Sequence, residues 1–417
     1  MDPEKRSDLV VVIPELIEGL LIERSKGVSG SVPSAWPECA GLYRSDEGII
    51  RLGLVEDTHH LPSDNALHHV PCFIVCKPSE WESVGSISES NQLNVASLIF
   101  IIDPKSANHI TALYISPGDT PTAERIVRCP VELIGNRHRL FNRISAVVDL
   151  YSLQDKKVAV IGLGSGGGLG AVELAKSGVG SFILVDYDRL EVENISRHVC
   201  GLSDVGRWKT RAVKDRILQH NPGAGIECHE VDITEDLDLL ESIVDSVDLV
   251  FVATDSEVSK YLVNEHCVNL QVPAVYGGVY ESAFAGEVVL VTPGRGACYS
   301  CVRHNLANTS GTVSSTLLGD YTDDTDTPHE PGLGIDVGFI ANIHVKIALS
   351  ALLNTSGSVF NDPEDQMIIW VNSAKPDDGP LFGTPLTRYF VKVPRVPDCR
   401  TCGVLAVYDE PEDLHNE

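Results

Sequence analysis

The stretch 156–209, KKVAVIGLGSGGGLGAVELAKSGVGSFILVDYDRLEVENISRHVCGLSDVGRWK, constrains the fold more than any other. An apolar run at 157–161 stops at a glycine cluster, and the pattern predicts a helix over 169–177. A second apolar run, 182–185, ends on Asp186. Strand, glycine turn, helix, strand and acid form the opening unit of a doubly wound parallel sheet. In such a unit the glycines allow positive φ and close backbone approach, and the helix N-terminus favours phosphate oxygens. Gly162, Gly164 and Gly167 are the candidate cradle residues, and Asp186 stands where a carboxylate can hold a ribose.

The residues that follow narrow the ligand. Asp188, Asn194, Arg197 and Lys209 fall within two dozen positions of Asp186. Cations and an amide suit a β,γ-phosphate, which a dinucleotide lacks, so the arrangement favours ATP. Farther along, the run 250–253 leads to Asp255. A carboxylate at the C-terminal end of a later parallel strand faces the ligand crevice and could hold Mg²⁺.

Strand and helix patterns alternate from 156 to 277 as a parallel sheet requires. The run 287–292 reads as an antiparallel strand because its connection is short. A polar loop is expected over 305–331, then an apolar helix over 335–353 and strands near 367–371 and 388–393. Residues 135–151 read as a helix leading into the sheet. The fold class is α/β: a Rossmann-like, doubly wound, mostly parallel sheet with a four-cysteine zinc site, plus a smaller N-terminal α+β domain. The domains are 1–135 for docking or dimerisation, 136–405 for the sheet and zinc site, and 406–417 as an acidic tail. Within the first, the periodicity of 1–24 suits an amphipathic helix. Asp57, His59, His60, His68 and His69 match no common metal spacing and read as exposed loop residues.

Acidic residues number 59 against 32 basic, a formal charge of −27. Such a surface repels nucleic acid and anionic lipid, so neither is an expected partner. No run reads as a membrane span, and a cytoplasmic location is expected. Of eleven cysteines, Cys298 with Cys301 and Cys399 with Cys402 form two C-x-x-C pairs nearly a hundred residues apart. Two such pairs complete a closed, structural, all-thiolate zinc site. Free thiols and zinc fit a reducing compartment. Cys200, three residues beyond Arg197, is the candidate for a reactive thiol, weighed against a buried structural role for it and for Cys267.

Taken in order, GLGSGG, LVDYDRLEVENISRH, GLSDVGRWK and ATDS resemble the ThiF/MoeB and ubiquitin-activating-enzyme superfamily over residues 140–402. The resemblance implies that Asp186 holds the ribose of ATP with Asp188 beside it. It implies that Asn194, Arg197 and Lys209 meet the phosphates, and that Asp255 binds Mg²⁺. Arg143, with Arg139 in reserve, matches an arginine that reaches the triphosphate of the partner protomer in a homodimer. The implied reaction is adenylylation of the C-terminal carboxylate of a ubiquitin-like or sulfur-carrier protein, with hand-over to a cysteine or to a conjugating enzyme. The loop 305–331, where such a cysteine often lies, has none. The pattern is nearest to bacterial activators of ubiquitin-like conjugation operons, including antiphage systems. The alternatives are a sulfur-carrier activator for thiamin or molybdopterin synthesis, a non-catalytic scaffold subunit and, more distantly, a nicotinamide oxidoreductase.

Overall fold

The computed structural model describes residues 140–308, 331–354 and 365–403 continuously. Before residue 140 it describes 10–13, 21, 34–44, 49–54, 67–75, 97–102, 110–115 and 126–133. Asp57, His59, His60, Arg139, most of the loop 305–331 and the tail lie outside those residues. The chain divides into two compact units, Met1–Leu140 and Phe141–Glu417.

The first unit holds strands β1 (Val10–Ile13), β2 (Ser34–Arg44), β3 (Ile49–Leu54), β4 (Leu67–Val75), β5 (Ser97–Ile102), β6 (Ile110–Ile115), β7 (Ile126–Cys129) and β8 (Val131–Leu133). They form one sheet in the order β7-β6-β5-β4-β2-β3-β1-β8. Its core includes Val11, Ile13, Ile50, Leu52, Leu98, Phe100 and Tyr114. The helix expected over 1–24 is corrected at Val10–Ile13, which is a strand parallel to both β3 and β8. Three consecutive valines are stiff and β-prone, and Val11 and Ile13 bury every second side chain. The loop reading of His68 and His69 is also corrected, since both lie in β4, opposite Tyr43 and Leu42.

The second unit begins with a turn at 141–147 and helix α1 (Leu150–Gln154), shorter than the helix expected over 135–151. Asp149 caps it, its Oδ1 accepting the Ser152 N–H at 3.1 Å. Then follow β9 (Lys157–Ile161), α2 (Ser165–Lys176), β10 (Ser181–Val185), α3 (Lys209–His220), β11 (Gly225–His229), α4 (Leu237–Asp245), β12 (Leu249–Val252), α5 (Glu257–Asn269) and β13 (Ala274–Val279). The unit closes with β14 (Ala285–Val291), α6 (Tyr299–Asn308), α7 (Gly334–Leu352), β15 (Asp365–Val371) and β16 (Thr387–Lys392). The sheet order is β11-β10-β9-β12-β13-β14-β15-β16. The first five strands are parallel and the last three add antiparallel, as expected for β14.

Strand alternation sorts the two faces. Val158 and Val160 pack with Ala171, Val213 and Ile347, placing α2, α3 and α7 on one face. Ala159 and Ile161 pack with Leu240, Val263 and Val302, placing α4, α5 and α6 on the other. α7 has the length and mean hydropathy, 1.5, of a membrane span. Here it buries Val337, Ile340, Ala341, His344 and Val345 within the unit, packed against α2 and strands β12 to β14.

Candidate nucleotide site and four-cysteine centre

The glycine turn leaves β9 at the topological switch point, where β10 lies on one side and β12 on the other. Gly162 has φ +87°, and a Cβ there would lie 2.7 Å from Ala253 O and Thr254 N. The close approach of these two strand ends therefore requires glycine. Helix α2 starts at Ser165, earlier than expected, with Gly164 as its N-cap. A Cβ on Gly167 would stand 1.9 Å from Gly162 O. Glycines are poor helix formers, which hid this first turn in the sequence; close packing selects them instead.

Asp186 closes the turn from the second strand. Its Oδ2 accepts the Leu163 N–H at 2.6 Å and its Oδ1 accepts the Asp188 N–H at 2.8 Å. Burial holds its carboxyl above the ordinary range, against the pull of Lys209 and those two N–H groups. Each oxygen keeps a lone pair for a ligand hydroxyl. The segment 188–190 is clasped by 206–209: Leu190 N–H donates to Arg207 O, Gly206 N–H to Leu190 O and Lys209 N–H to Asp188 O. Lys209 thereby returns to Asp188, its Nζ 2.6 Å from Asp188 Oδ2.

Between these segments, Asn194 caps a short 3-10 turn, its Oδ1 accepting the Glu191 N–H at 3.0 Å. Arg197 follows, half-buried, beside the start of α7, where a Cβ on Gly334 would lie 3.2 Å from Arg197 Cα. Sequence reasoning assigns no role to His198. It is buried, with Nε2 2.8 Å from Leu163 O, while its Nδ1 accepts the Cys200 N–H at 3.1 Å. That bond assigns the proton to Nε2, and burial keeps the ring's pKa low. His198 thus ties the Arg197 loop to the glycine turn. Asp204 was missed as well: it holds the same loop through Arg207 at 2.8 Å and Arg216 at 2.7 Å.

Asp255 is exposed just past β12, and Ala253 N–H donates to Ile161 O. Gly162, Gly164, Gly167, Asp186, Asp188, Lys209 and the Ala253–Asp255 turn therefore share one sheet edge, with Asn194 and Arg197 on the loop joined to it. Arg143 is exposed in the turn before α1. α1 is fastened by Gly180 N–H to Leu153 O at the opposite, N-terminal edge of β10. Cys200 sits in the hydrophobic core and burial pushes its thiol up to about 11. Arg216 and Arg207 pull it down, but burial outweighs them, and the side chain packs in the core. Cys267 is buried too, its pKa raised by desolvation.

Cys298, Cys301, Cys399 and Cys402 place their sulfurs within 4.8 Å of one another. The separations are 3.8 Å for Cys298–Cys301, 3.7 Å for Cys298–Cys399 and 3.5 Å for Cys301–Cys402. Four thiolates around zinc at about 2.3 Å stand about 3.8 Å apart in a tetrahedron, so the donor set fits zinc. The Val396 N–H points at Cys301 Sγ at 3.4 Å, and Gly403 N–H donates to Cys399 O. All four positions are filled by sulfur, so a metal here would be structural.

A parallel switch-point sheet with a glycine cradle, an acid on the second strand and a cation beyond it has the architecture of a Rossmann-like α/β domain. Residues 136–367, more than half of the chain, match the ThiF family, and the chain belongs to that family. It is similar to ubiquitin-like modifier-activating enzyme 5 of Caenorhabditis elegans, 29% identical over 214 residues, 48% of this chain and 51% of that protein. It is also similar to ubiquitin-like modifier-activating enzyme 5 of Dictyostelium discoideum, 28% identical over 269 residues, 60% of this chain and 69% of that protein. The chain spans about half the length of the Caenorhabditis relatives it matches. Among solved structures, the microcin C7 biosynthetic enzyme MccB in complex with N-formylated MccA is 22% identical with a TM-score of 0.50. That match covers 64% of this chain and 76% of that one, and the likeness is one of fold.

Proposed function

We propose that this chain uses ATP to adenylylate the C-terminal carboxylate of a ubiquitin-like protein. The observation that supports it most is the convergence of the glycine turn, Asp186, the Asp188–Lys209 pair and the Asp255 turn on one sheet edge. Family membership and the names of the relatives agree with it. The nucleophile is a carboxylate, already ionised, so no general base is needed. What the reaction needs is in-line positioning and charge neutralisation at the phosphates. Asp186 would bind ribose hydroxyls, and the N-terminus of α2 would face phosphate. Lys209 has three donor hydrogens and Asp188 takes one, leaving two for phosphate oxygens. Arg197 and Asn194 would complete the polar lining. Asp255 would hold Mg²⁺, whose charge would offset that of the phosphates. Arg143 would act across a homodimer, from one protomer to its partner's nucleotide. With Cys200 and Cys267 buried, the acyl-adenylate would pass directly to a partner's thiol, as in a bacterial conjugation pathway.

Pyrophosphate–ATP exchange with a panel of small β-grasp proteins ending in glycine tests the reading. Exchange should require a free carrier C-terminus and should fall on the order of 10²–10³-fold or more in Asp255→Ala. ATP turnover indifferent to every carrier and to that substitution would refute it.

A further inference from the structure

A chain of partly buried polar contacts runs from the four-cysteine centre to the Asp255 turn. Helix α6 begins at Tyr299, between Cys298 and Cys301. Its first N–H, that of Tyr299, donates to Asn264 Oδ1 on α5 at 2.9 Å. Asn264 Nδ2 donates to Ser300 Oγ at 3.1 Å, and Ser300 meets Thr401, between Cys399 and Cys402, at 3.2 Å. One turn on, Arg303 Nε donates to the Tyr299 hydroxyl at 2.7 Å. That hydroxyl donates in turn to the Glu257 carboxylate, 3.1 Å from each oxygen. Lys260 Nζ donates to Glu257 Oε1 at 2.7 Å. Arg303 also pairs with buried Glu287, whose Oε2 accepts the Tyr280 hydroxyl at 2.8 Å. Glu257 opens α5, two residues after Asp255. The turn between them is shaped by Ser256 N–H to Thr254 Oγ1 at 3.2 Å and Ser259 N–H to Ser256 Oγ at 3.2 Å.

We infer that Tyr299 and Glu257 are positioning residues, through which the four-cysteine centre fixes the Asp255 turn. The inference rests on the proposed adenylylation only for its effect on rate; the coupling itself is a property of the fold. Asp255 is exposed, and its side chain has no hydrogen bond or ion pair among the described residues, so its placement depends on the turn that carries it. That turn is held at its far end by Glu257, and Glu257 is held by a helix whose first residues flank two of the cysteines. Asn264, Tyr299 and Lys260 are buried and Glu257 is partly buried, so these bonds are shielded in part from exchange with water. Loosening the cysteine centre, or removing the Tyr299 hydroxyl, should free the same few amides.

Amide hydrogen exchange on the full-length, metal-loaded protein tests this without using activity. The reporters are the N–H groups of Ser256, Ser259 and Lys260, which are all hydrogen-bonded within the turn. Tyr299→Phe should speed their exchange on the order of tenfold, leaving α3 unchanged. Metal removal by a chelator should speed the same amides, and should add little in Tyr299→Phe. Cys402→Ser gives an independent way to loosen the centre if chelation unfolds the chain. In carrier-dependent pyrophosphate exchange, Tyr299→Phe should lower kcat about tenfold with the KM for carrier unchanged. Unchanged exchange at the three amides in Tyr299→Phe, or equal acceleration across the whole unit, would overturn the coupling. Absence of pyrophosphate exchange in the wild type would instead overturn the proposed function and leave the amide result standing.

Discussion

The Glu287–Arg303 pair offers the sharpest test of how this unit is held together. The side chains of Glu287 and Arg303 are 4% and 14% exposed, and the two are in direct contact. Replacing Glu287 by Leu leaves the buried guanidinium only the more distant Glu257 carboxylate, 3.7 Å from its Nε, and takes the acceptor from the Tyr280 hydroxyl. Breaking one side of a buried pair costs about 3–5 kcal/mol. Arg303→Met strands the Glu287 carboxylate, although Tyr280 still donates to it, so its cost should fall near about 3 kcal/mol. In the double variant no charge is stranded. The Tyr299 hydroxyl keeps Glu257 as an acceptor, and only the Tyr280 hydroxyl lacks a partner, a cost of about 1–3 kcal/mol. The double should therefore be more stable than Glu287→Leu alone, by about 2 kcal/mol. Urea denaturation of the full-length protein at neutral pH, followed by tryptophan fluorescence, measures this in a four-member cycle. Additive losses, or a double variant less stable than either single, would refute the view that stranded charge dominates.

Two further outcomes follow from the glycine turn and the loop behind it. Gly167→Ala must move backbone, because its Cβ would lie 1.9 Å from Gly162 O, and it should cost about 3 kcal/mol or more with loss of ATP binding by calorimetry. Gly166→Ala, with Val337 Cγ1 at 4.0 Å, is the control and should gain about 0.5–1 kcal/mol by urea denaturation. For Asp204, burial raises the carboxyl, but Arg216, the Gly201 N–H and Arg207 outweigh it and hold the pKa below the ordinary range. A depressed acid stabilises above its unfolded pKa, and that stability is lost as pH falls through the folded value. Wild type should thus exceed Asp204→Asn by a constant margin from neutral pH to about pH 5, and the margin should close below about pH 4. A margin that persists in acid, measured by denaturation across pH, would count against the charge pairs as its source.

The parallel half of the second unit was legible because its signals are local. Strand, glycine, helix and acid occur within thirty residues of one another, and β10, β12, α5 and β14 lie where the pattern put them. The cysteine centre was legible for a different reason: two C-x-x-C pairs are specific even when far apart, and their sulfurs do meet. His198, Asp204 and the Arg303 network were not legible. His198 and the Arg303 network work through contacts between different elements, such as His198 with Leu163 and Tyr299 with Glu257, while Asp204 gathers Arg207 and Arg216 across a loop and a helix. No spacing rule distinguishes those from solvated charges. In the sequence, Cys200 stands as a reactive thiol weighed against a buried structural one. Its neighbours in sequence are cationic, but the loop folds its side chain inward, where burial outweighs the charge.

The acids beside the proposed phosphate site appear at first to work against binding an anion. The contacts give them separate tasks. Asp186 spends one lone pair of each oxygen on the turn's own N–H groups, so it is part of the cradle itself beside the ribose role proposed for it. Asp188 neutralises Lys209, a side chain only 11% exposed whose charge would otherwise sit uncompensated without nucleotide. A triphosphate arriving at that ammonium would share it with Asp188 or displace Asp188 toward solvent, where a carboxylate 47% exposed is readily hydrated. Under the proposed function, the pair would lower intrinsic affinity for ATP while keeping Lys209 in place before the nucleotide binds. Preorganisation of that kind favours charge that develops at the phosphates during reaction over tight binding of the ground state.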